Sequence, residues 1–284
     1  MSCDENDKVS IYISTYNRVN KLKRAIFSVL NQDYTNIEII VCDDASNDGT
    51  EEFMNDLVKF DNRVLYIRNT SNLGACATRN NAINVATGKF ITGLDDDDEF
   101  MADRVSVFVK YWDDNYAFIC SDFIEKFDNG LRKNHYHNKK LISDYTGLLY
   151  YNNASNQIFT LTKNLRSING FRENVKRYQD WDTWLRLSYK FGEFLRIPNA
   201  TYIMNHDHSH AEPRVSTGCS SIQAIKDHRD RNLDIYQGKQ LDFLNFLILQ
   251  LEGKESILEC IKWSYEQRNI KYFIKYFFSK NKNY

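Results

Sequence analysis

A chain of 284 residues with 42% hydrophobic and 14% aromatic side chains has the apolar mass for one large domain, or a domain with an appendage, and is excluded from the disordered class. Its 37 basic and 38 acidic residues leave a net charge of −1, which argues against nucleic acid as a partner, because phosphate-backbone binding draws on a basic excess. Six cysteines, at 3, 42, 76, 120, 219 and 260, form no C-x-x-C pair, so neither a disulfide framework nor a zinc site is indicated and buried, reduced thiols are expected.

The first residues, 1–8, are polar and acidic and read as neither signal nor transit peptide. The longest apolar run, Leu241 to Leu251, is broken by Asp242, Asn245 and Gln250 and is too short to span a bilayer, so a cytoplasmic protein is expected. Val9 to Ile13 alternates as a strand and ends in Ser14-Thr15-Tyr16-Asn17; a helix is predicted from Val19 to Gln32 by the spacing of Leu22, Ala25, Ile26, Val29 and Leu30. Glu38 to Cys42 is a second strand, continuous enough in apolar residues to be buried on both faces, and it ends in Asp43-Asp44. Asp48-Gly49 marks a turn, with Thr50 as a candidate cap for a helix to Phe60.

Val64 to Ile67 is a third strand, Leu73 to Ala86 a helix, and Lys89 to Leu94 a fourth strand. Strands alternating with helices imply a parallel sheet with crossover helices, whose ligand sits at the carboxyl ends of the strands where strand order reverses. Beyond residue 100 a helix is expected over Asp103–Tyr116, a strand over Ala117–Asp122, and a hairpin or mobile loop over Glu125–Tyr151. A helix over Asp180–Phe191, a strand over Thr201–Met204 and helices after Ser220 complete the reading. There is no internal repeat.

The fourth strand runs into Gly93-Leu94-Asp95-Asp96-Asp97-Asp98-Glu99. Adjacent carboxylates repel at low dielectric, so such a run is either a solvated acidic turn or is held by a cation, for which Mg²⁺ or Mn²⁺ with hard oxygen ligands is the simplest choice. Asp44-x-Ser46-x-Asp48-Gly49 matches the first half of a calcium loop, but its twelfth position is Asn55, where a bidentate Glu is required.

Five motifs in order, Val9-Ser10-Ile11-x-Ile13-Ser14-Thr15-Tyr16-Asn17, Asp43-Asp44-x-Ser46, the acidic run, Gly170-Phe171-x-Glu173 and Gln179-Asp180-Trp181-x-x-Trp184-Leu185-Arg186, resemble the family-2 glycosyltransferases of the GT-A fold, bacterial O-antigen or capsular polysaccharide type, over residues 8–215. The resemblance implies an α/β, Rossmann-like mixed sheet flanked by helices. It divides the chain into a catalytic domain over 1–217, with a nucleotide half 1–100 and an acceptor half 101–217, and a helical extension over 218–284. It implies a divalent-metal-dependent inverting transferase that moves a hexose (glucose, galactose or an N-acetylhexosamine) from a UDP-sugar to a lipid-diphosphate-linked saccharide at the inner face of the cytoplasmic membrane.

Carried over residue by residue, Asp44 accepts from the uracil ring, Tyr16 stacks on it, and Ser14, Asn17, Asp43, Arg79, Asp95 and Asp96 complete the nucleotide set. Arg79 would otherwise be an ordinary surface arginine. Asp97 becomes the metal ligand, joined by Asp95 and His206, with Mn²⁺ or Mg²⁺ as cofactor. Asp180 becomes the general base, where its bland use would be a helix N-cap, and Asp182 is its nearest competitor. Arg214 is a candidate for phosphate, and His208 and His210 make an ambiguous metal pattern with His206.

The segment from Lys262 to Tyr284, six basic residues against Glu266 with aromatics between, reads either as a membrane-surface helix or as one that packs its rings inward. Two other classes are open. A sugar nucleotidyltransferase needs a Gly-rich loop after the first strand, which Ser14 to Arg18 lacks; a non-catalytic calcium or carbohydrate-binding module would leave the carboxylate after Gln179 unexplained.

Overall fold

The computed structural model describes residues 6–135, 139–154, 157–207 and 220–280; Cys3, His208, His210, Arg214, Cys219 and the expected boundary at 217/218 lie outside them. The first half is the alternation expected. It comprises β1 (Val9–Thr15), α1 (Val19–Leu30), β2 (Ile37–Asp43), α2 (Thr50–Phe60), β3 (Val64–Arg68), α3 (Ala75–Val85) and β4 (Phe90–Asp95), and these four strands run parallel in the order β3-β2-β1-β4. The order reverses between β1 and β4, which opens the crevice at the carboxyl ends of these strands. α1 contributes Leu22, Ala25, Ile26 and Val29 to the core beneath.

The remaining elements are β5 (Glu99–Phe100), α4 (Arg104–Tyr111), β6 (Phe118–Phe127), β7 (Arg132–His135), β8 (Leu141–Ser143), α5 (Tyr145–Leu148), β9 (Phe159–Leu161), α6 (Thr162–Ser167), α7 (Gln179–Phe191) and β10 (Phe194–His206). They extend the same sheet as β4-β9-β6-β10-β5, with β9 antiparallel to both neighbours, so the sheet is mixed.

Three boundaries differ from expectation. α4 stops at Tyr111 because Trp112 turns extended, buries its ring against Phe90 and Phe159, and donates its indole N–H to Asp114. β9 carries no periodic signature in three residues; it exists because Phe159 stacks on Phe90 and Phe108. β10 is thirteen residues rather than four, since a register shift between Ile197 and Ala200 absorbs Pro198 without ending the pairing to β6. Within Glu125–Tyr151, β6 and β7 form an antiparallel hairpin whose turn uses Gly130 at φ 79°.

The chain forms two compact units. The first holds the sheet and comprises Met1–Leu148, Asn152–Val175 and Gln179–Pro213; the second comprises Leu149–Tyr151, Lys176–Tyr178 and Arg214–Tyr284. Within the second lie α8 (Ser221–Arg231), α9 (Gly238–Glu252), α10 (Ile257–Glu266) and α11 (Lys271–Lys280), around a small core of Phe243, Phe246, Cys260, Trp263 and Tyr272. The four described cysteines are buried and free. No helix among the described residues is long and apolar enough to cross a membrane.

Candidate active site

The loops after β1 and β2 are zipped together before any ligand enters. The Asn17 amide donates to Ser46 Oγ at 2.8 Å and Asn17 Oδ1 accepts from the Asn47 amide at 2.7 Å, while the Asp44 amide donates to the Thr15 carbonyl. Asp48 reaches back to accept from the first amide of α1, Val19, and also takes Thr50. Thr50 is therefore not a cap; Gly49, in the left-handed region at φ 89°, starts α2. These contacts use Asp48 for two helix starts and leave the calcium-loop reading without that ligand.

Asp43 is wholly buried, accepting from the Ser46 amide at 2.9 Å and the Tyr66 hydroxyl at 2.7 Å. Asp44 accepts from Asn69 Nδ2 at 2.9 Å and from the amides of Leu73 and Gly74 at 2.7 and 2.8 Å, so it pins the loop before α3. Three donors leave about one of its four acceptor positions open. Ser14 is partly exposed at the end of β1, and the Tyr16 ring beyond it is 45% exposed, an apolar face with room for a partner.

The acidic run divides by alternation. Asp96 and Asp98 turn inward, whereas Asp95, Asp97 and Glu99 stay partly exposed. Asp96 accepts from Thr15 Oγ1 at 2.8 Å and Arg18 Nη1 at 3.1 Å; Asp98 accepts from the Tyr202 hydroxyl and the Asn205 amide, each at 2.8 Å. Burial, with Asp97 adding to it, pushes the Asp96 carboxyl up to about 6, and the same causes raise Asp98. Arg18 also pairs with Asp97 at 3.2 Å, and Arg79 with Asp95 at 2.9 Å.

The crowding is thus relieved by two arginines, cations that the chain itself supplies, and by burial that favours protonation. Asp96 is buried, with one donor on each of its oxygens, Thr15 and Arg18.

Arg79 is no surface arginine. Its side chain is 12% exposed, with Nη2 on Asp95 Oδ1, Nη1 on Gln179 Oε1 at 2.6 Å, and the guanidinium 5.3 Å from the Phe171 ring. The Gly-Phe motif makes that platform: Phe171 exchanges two hydrogen bonds with the Asn80 side chain, and a Cβ on Gly170 would lie 2.3 Å from Asn80 Oδ1. By holding Gln179, Arg79 ties the start of α7 to the acidic run.

Asp180 is the second residue of α7, in its first turn rather than at its cap, and accepts no hydrogen bond among the described residues. The residue is partly exposed, yet Oδ1 is sealed from solvent. Desolvation raises its carboxyl to about 7, opposed by Arg79 and reinforced by Asp95. Asp182 is buried between Arg172 at 3.1 Å and Arg186 at 2.9 Å, so the competing carboxylate is committed to ion pairs.

His206 is not gathered with Asp95 and Asp97. Its ring stacks on Phe127 and its Nε2 lies 3.1 Å from Glu125, and among the described residues no three His, Cys, Asp or Glu side chains group as ion ligands. The donor set that does fit Mg²⁺ or Mn²⁺ is the pair Asp95 and Asp97: hard oxygens two residues apart, partly exposed, with Asp95 Oδ2 taking no described partner.

Sequence reasoning missed four residues. Arg18 was visible, since it directly follows the Ser14–Asn17 motif. Tyr202, Asn205 and Gln157 were not, because they reach the site from β10 and from the loop before β9. Gln157 donates to Asp95 Oδ1 at 3.1 Å and accepts from the Tyr12 hydroxyl at 3.1 Å, passing over Gly93, where a Cβ would lie 2.2 Å from Gln157 Oε1 and 2.4 Å from the Tyr12 ring. Gly93→Ala should lower stability by about 1–3 kcal/mol in urea denaturation, as overpacking does. A loss under about 0.5 kcal/mol would mean Gln157 is not held there.

A model of glycosyl transferase family 2 matches residues 10–187, from Ser10 of the first motif through Arg186 of the last. The chain belongs to glycosyl transferase family 2. It is 36% identical over 256 residues, covering 88% of this chain and 90% of the other, to an Escherichia coli K12 protein named for colanic acid biosynthesis, WcaA. It is also 36% identical over 127 residues to the Campylobacter jejuni GalNAc(5)-diNAcBac-PP-undecaprenol β-1,3-glucosyltransferase, a match covering 44% of this chain and 41% of that one.

Among solved structures, Staphylococcus aureus TarS 1–349 with UDP-GlcNAc superposes with a TM-score of 0.67 over 96% of this chain and 79% of that one, at 15% identity, and shares the fold. The mannosyltransferase PcManGT of Pyrobaculum calidifontis, with GDP-Man and Mn²⁺, gives 0.60 over 85% of this chain and 69% of that one, at 16% identity. Family membership makes the protein a glycosyltransferase and sets aside the nucleotidyltransferase and binding-module readings.

Proposed function

We propose that the protein transfers a hexose, from the set glucose, galactose and N-acetylhexosamine, from a UDP-sugar to a lipid-diphosphate-linked saccharide, with inversion, at the cytoplasmic face of the membrane. The observation that carries this reading is the Asp180 carboxyl: Oδ1 buried without a hydrogen-bond partner, the group raised to about 7, with Arg79 and Asp95 acting on it electrostatically. A carboxylate with a partner is spent on structure; this one retains its acceptor capacity for a proton.

The acceptor hydroxyl oxygen attacks the anomeric carbon, its proton passes to Asp180, and the bond from that carbon to the diphosphate oxygen breaks, releasing UDP. A single displacement of this kind inverts the centre. Tyr16 offers its open ring to the uracil, the remaining acceptor position of Asp44 suits the ring N–H, and Asp95 Oδ2 is free for a ribose hydroxyl or the cation. Asp95 and Asp97 would hold Mn²⁺ or Mg²⁺, which when bound supplies Lewis-acid stabilisation to the departing diphosphate. The lipid acceptor is supported by the undecaprenol diphosphate in the name of the Campylobacter relative and in that of an Escherichia coli relative, WfaP, 36% identical over 120 residues, 42% of this chain and 47% of that one.

The test is a panel of nucleotide sugars with Mn²⁺, scored by UDP release with and without a lipid-diphosphate N-acetylhexosamine. Turnover of a UDP-sugar that rises with the acceptor is the expected result; no turnover of any uridine donor would refute the nucleotide assignment. Asp97→Ala should abolish both transfer and metal-dependent UDP binding, the latter read by calorimetry. A variant that keeps both removes Asp97 from the metal site.

A further inference from the structure

The second unit divides the aromatic, basic segment over its described residues, 262–280, and the division points to a partner. Trp263 and Tyr272 are buried, and both rings pack against Phe243 and Phe246 of α9. Cys260 joins that same small core. Helices α10 and α11 therefore turn one face toward α9, and for these rings the inward-packing alternative holds.

The opposite faces carry apolar residues at helical spacing that nothing among the described residues covers. On α10 these are Leu258, Ile261 and Tyr265, at 74, 48 and 84% exposure; on and just before α11 they are Ile270, Ile274 and Phe277, at 67, 43 and 48%. Six such side chains on two adjacent helices exceed the scattered exposure expected of a soluble surface. Lys262, Arg268, Lys271 and Lys275 are exposed among them. The two acids in this stretch are occupied, Glu259 in the capping box with Ser256 and Glu266 with Lys239. The face is thus apolar with an unneutralised basic rim.

We propose that this face of α10 and α11 docks onto an anionic lipid bilayer, the apolar side chains entering the headgroup–acyl boundary and the lysines resting on lipid phosphates. Charge selects this occupant over a second copy of the chain, because a two-fold contact would set the same basic rim against itself. Apolar burial and attraction to anionic lipid each add to interfacial binding, so neither alone accounts for a basic, aromatic-rich face of this kind. The purpose of the docking, access to a lipid-linked acceptor, rests on the function proposed above; the surface itself does not.

The experiment is co-flotation of the full chain with phosphatidylcholine vesicles containing none or about a third phosphatidylglycerol, at low and high salt, the anionic fraction being of the order that gives a marked surface potential. The wild type should float with the anionic vesicles and be released by salt. A variant combining Leu258→Ser, Ile261→Ser and Ile274→Ser should lose at least about tenfold in bound fraction, as should Lys262→Glu with Lys275→Glu. All three positions of the apolar variant are exposed, so it should fold, and its hydrolysis of a UDP-sugar in solution should match the wild type.

Flotation unchanged in both variants would overturn the proposal. So would a wild-type dimer in size-exclusion chromatography that the apolar variant converts to monomer, since the face would then be a self-interface. Loss of flotation with donor hydrolysis intact supports the docking face, whereas a wild type that floats but uses no uridine donor refutes the UDP-sugar assignment and leaves the docking face standing.

Discussion

Asp180→Asn is expected to lower turnover by about 10²- to 10⁴-fold, the range general-base removal costs, while UDP affinity stays within about threefold. The substitution is nearly isosteric, and the carboxylate it replaces makes no hydrogen bond among the described residues. Thermal stability should therefore hold or rise, because a charge that was costly to bury is gone. A capping aspartate would behave in the opposite way, losing about 0.5–2 kcal/mol of stability with little effect on turnover. The pair of measurements separates the two roles, and a variant that keeps its turnover while melting earlier ends the general-base assignment.

The raised carboxyl also sets a pH profile. Asp180 must be ionised to take a proton, so kcat/KM should fall about tenfold per unit as pH drops below the value of about 7 to which burial raises it. Stability runs the other way. The folded state holds this proton more tightly than the unfolded chain, so the group's stabilising contribution is full below the ordinary value of 3.8 and declines as pH rises toward about 7. The acid limb of the rate should vanish in Asp180→Asn; its persistence would assign the limb to another group.

Arg79→Met should be the most damaging single change in the nucleotide half. The guanidinium pairs with Asp95, holds Gln179 and acts electrostatically on Asp180, with its side chain 12% and that of Asp95 24% exposed. Removing it strands two carboxylates in a poorly solvated site, a loss of about 3–5 kcal/mol for a broken buried pair. Transfer should fall with it, since the start of α7 is no longer tied to the acidic run, and any residual activity should show its acid limb moved to higher pH. Arg79→Lys should recover only part of both losses, because one ammonium cannot span Asp95 and Gln179 as a planar fork does. Urea denaturation and a pH–rate profile check this, and a stability loss in Arg79→Met below about 1 kcal/mol would sink it.

The parallel half of the sheet was legible because each of its strands is a run of apolar residues followed by a helical repeat, and both signals are local. The three polar strand ends were legible for the same reason. What each polar residue does there was not. Asp95 to Asp98 are identical letters in a row, and only the alternation at the end of β4, with Tyr202 and Asn205 arriving from β10, turns Asp96 and Asp98 inward and leaves Asp95 and Asp97 toward the opening.

Arg79 and Asp180 stand 101 positions apart, and one reads as surface and the other as a cap until tertiary packing places them together. The same holds for β9, whose three residues become a central strand only because Phe159 fills a gap between Phe90 and Phe108. Residue type and spacing by themselves determined the strand–helix rhythm and the crevice at the strand ends, and motif order carried the resemblance to the family, because backbone periodicity and motif order are properties of neighbours in the chain. Which carboxylate is paired, which is protonated and which is open was decided only in three dimensions, because burial and charge act between residues that the sequence keeps far apart.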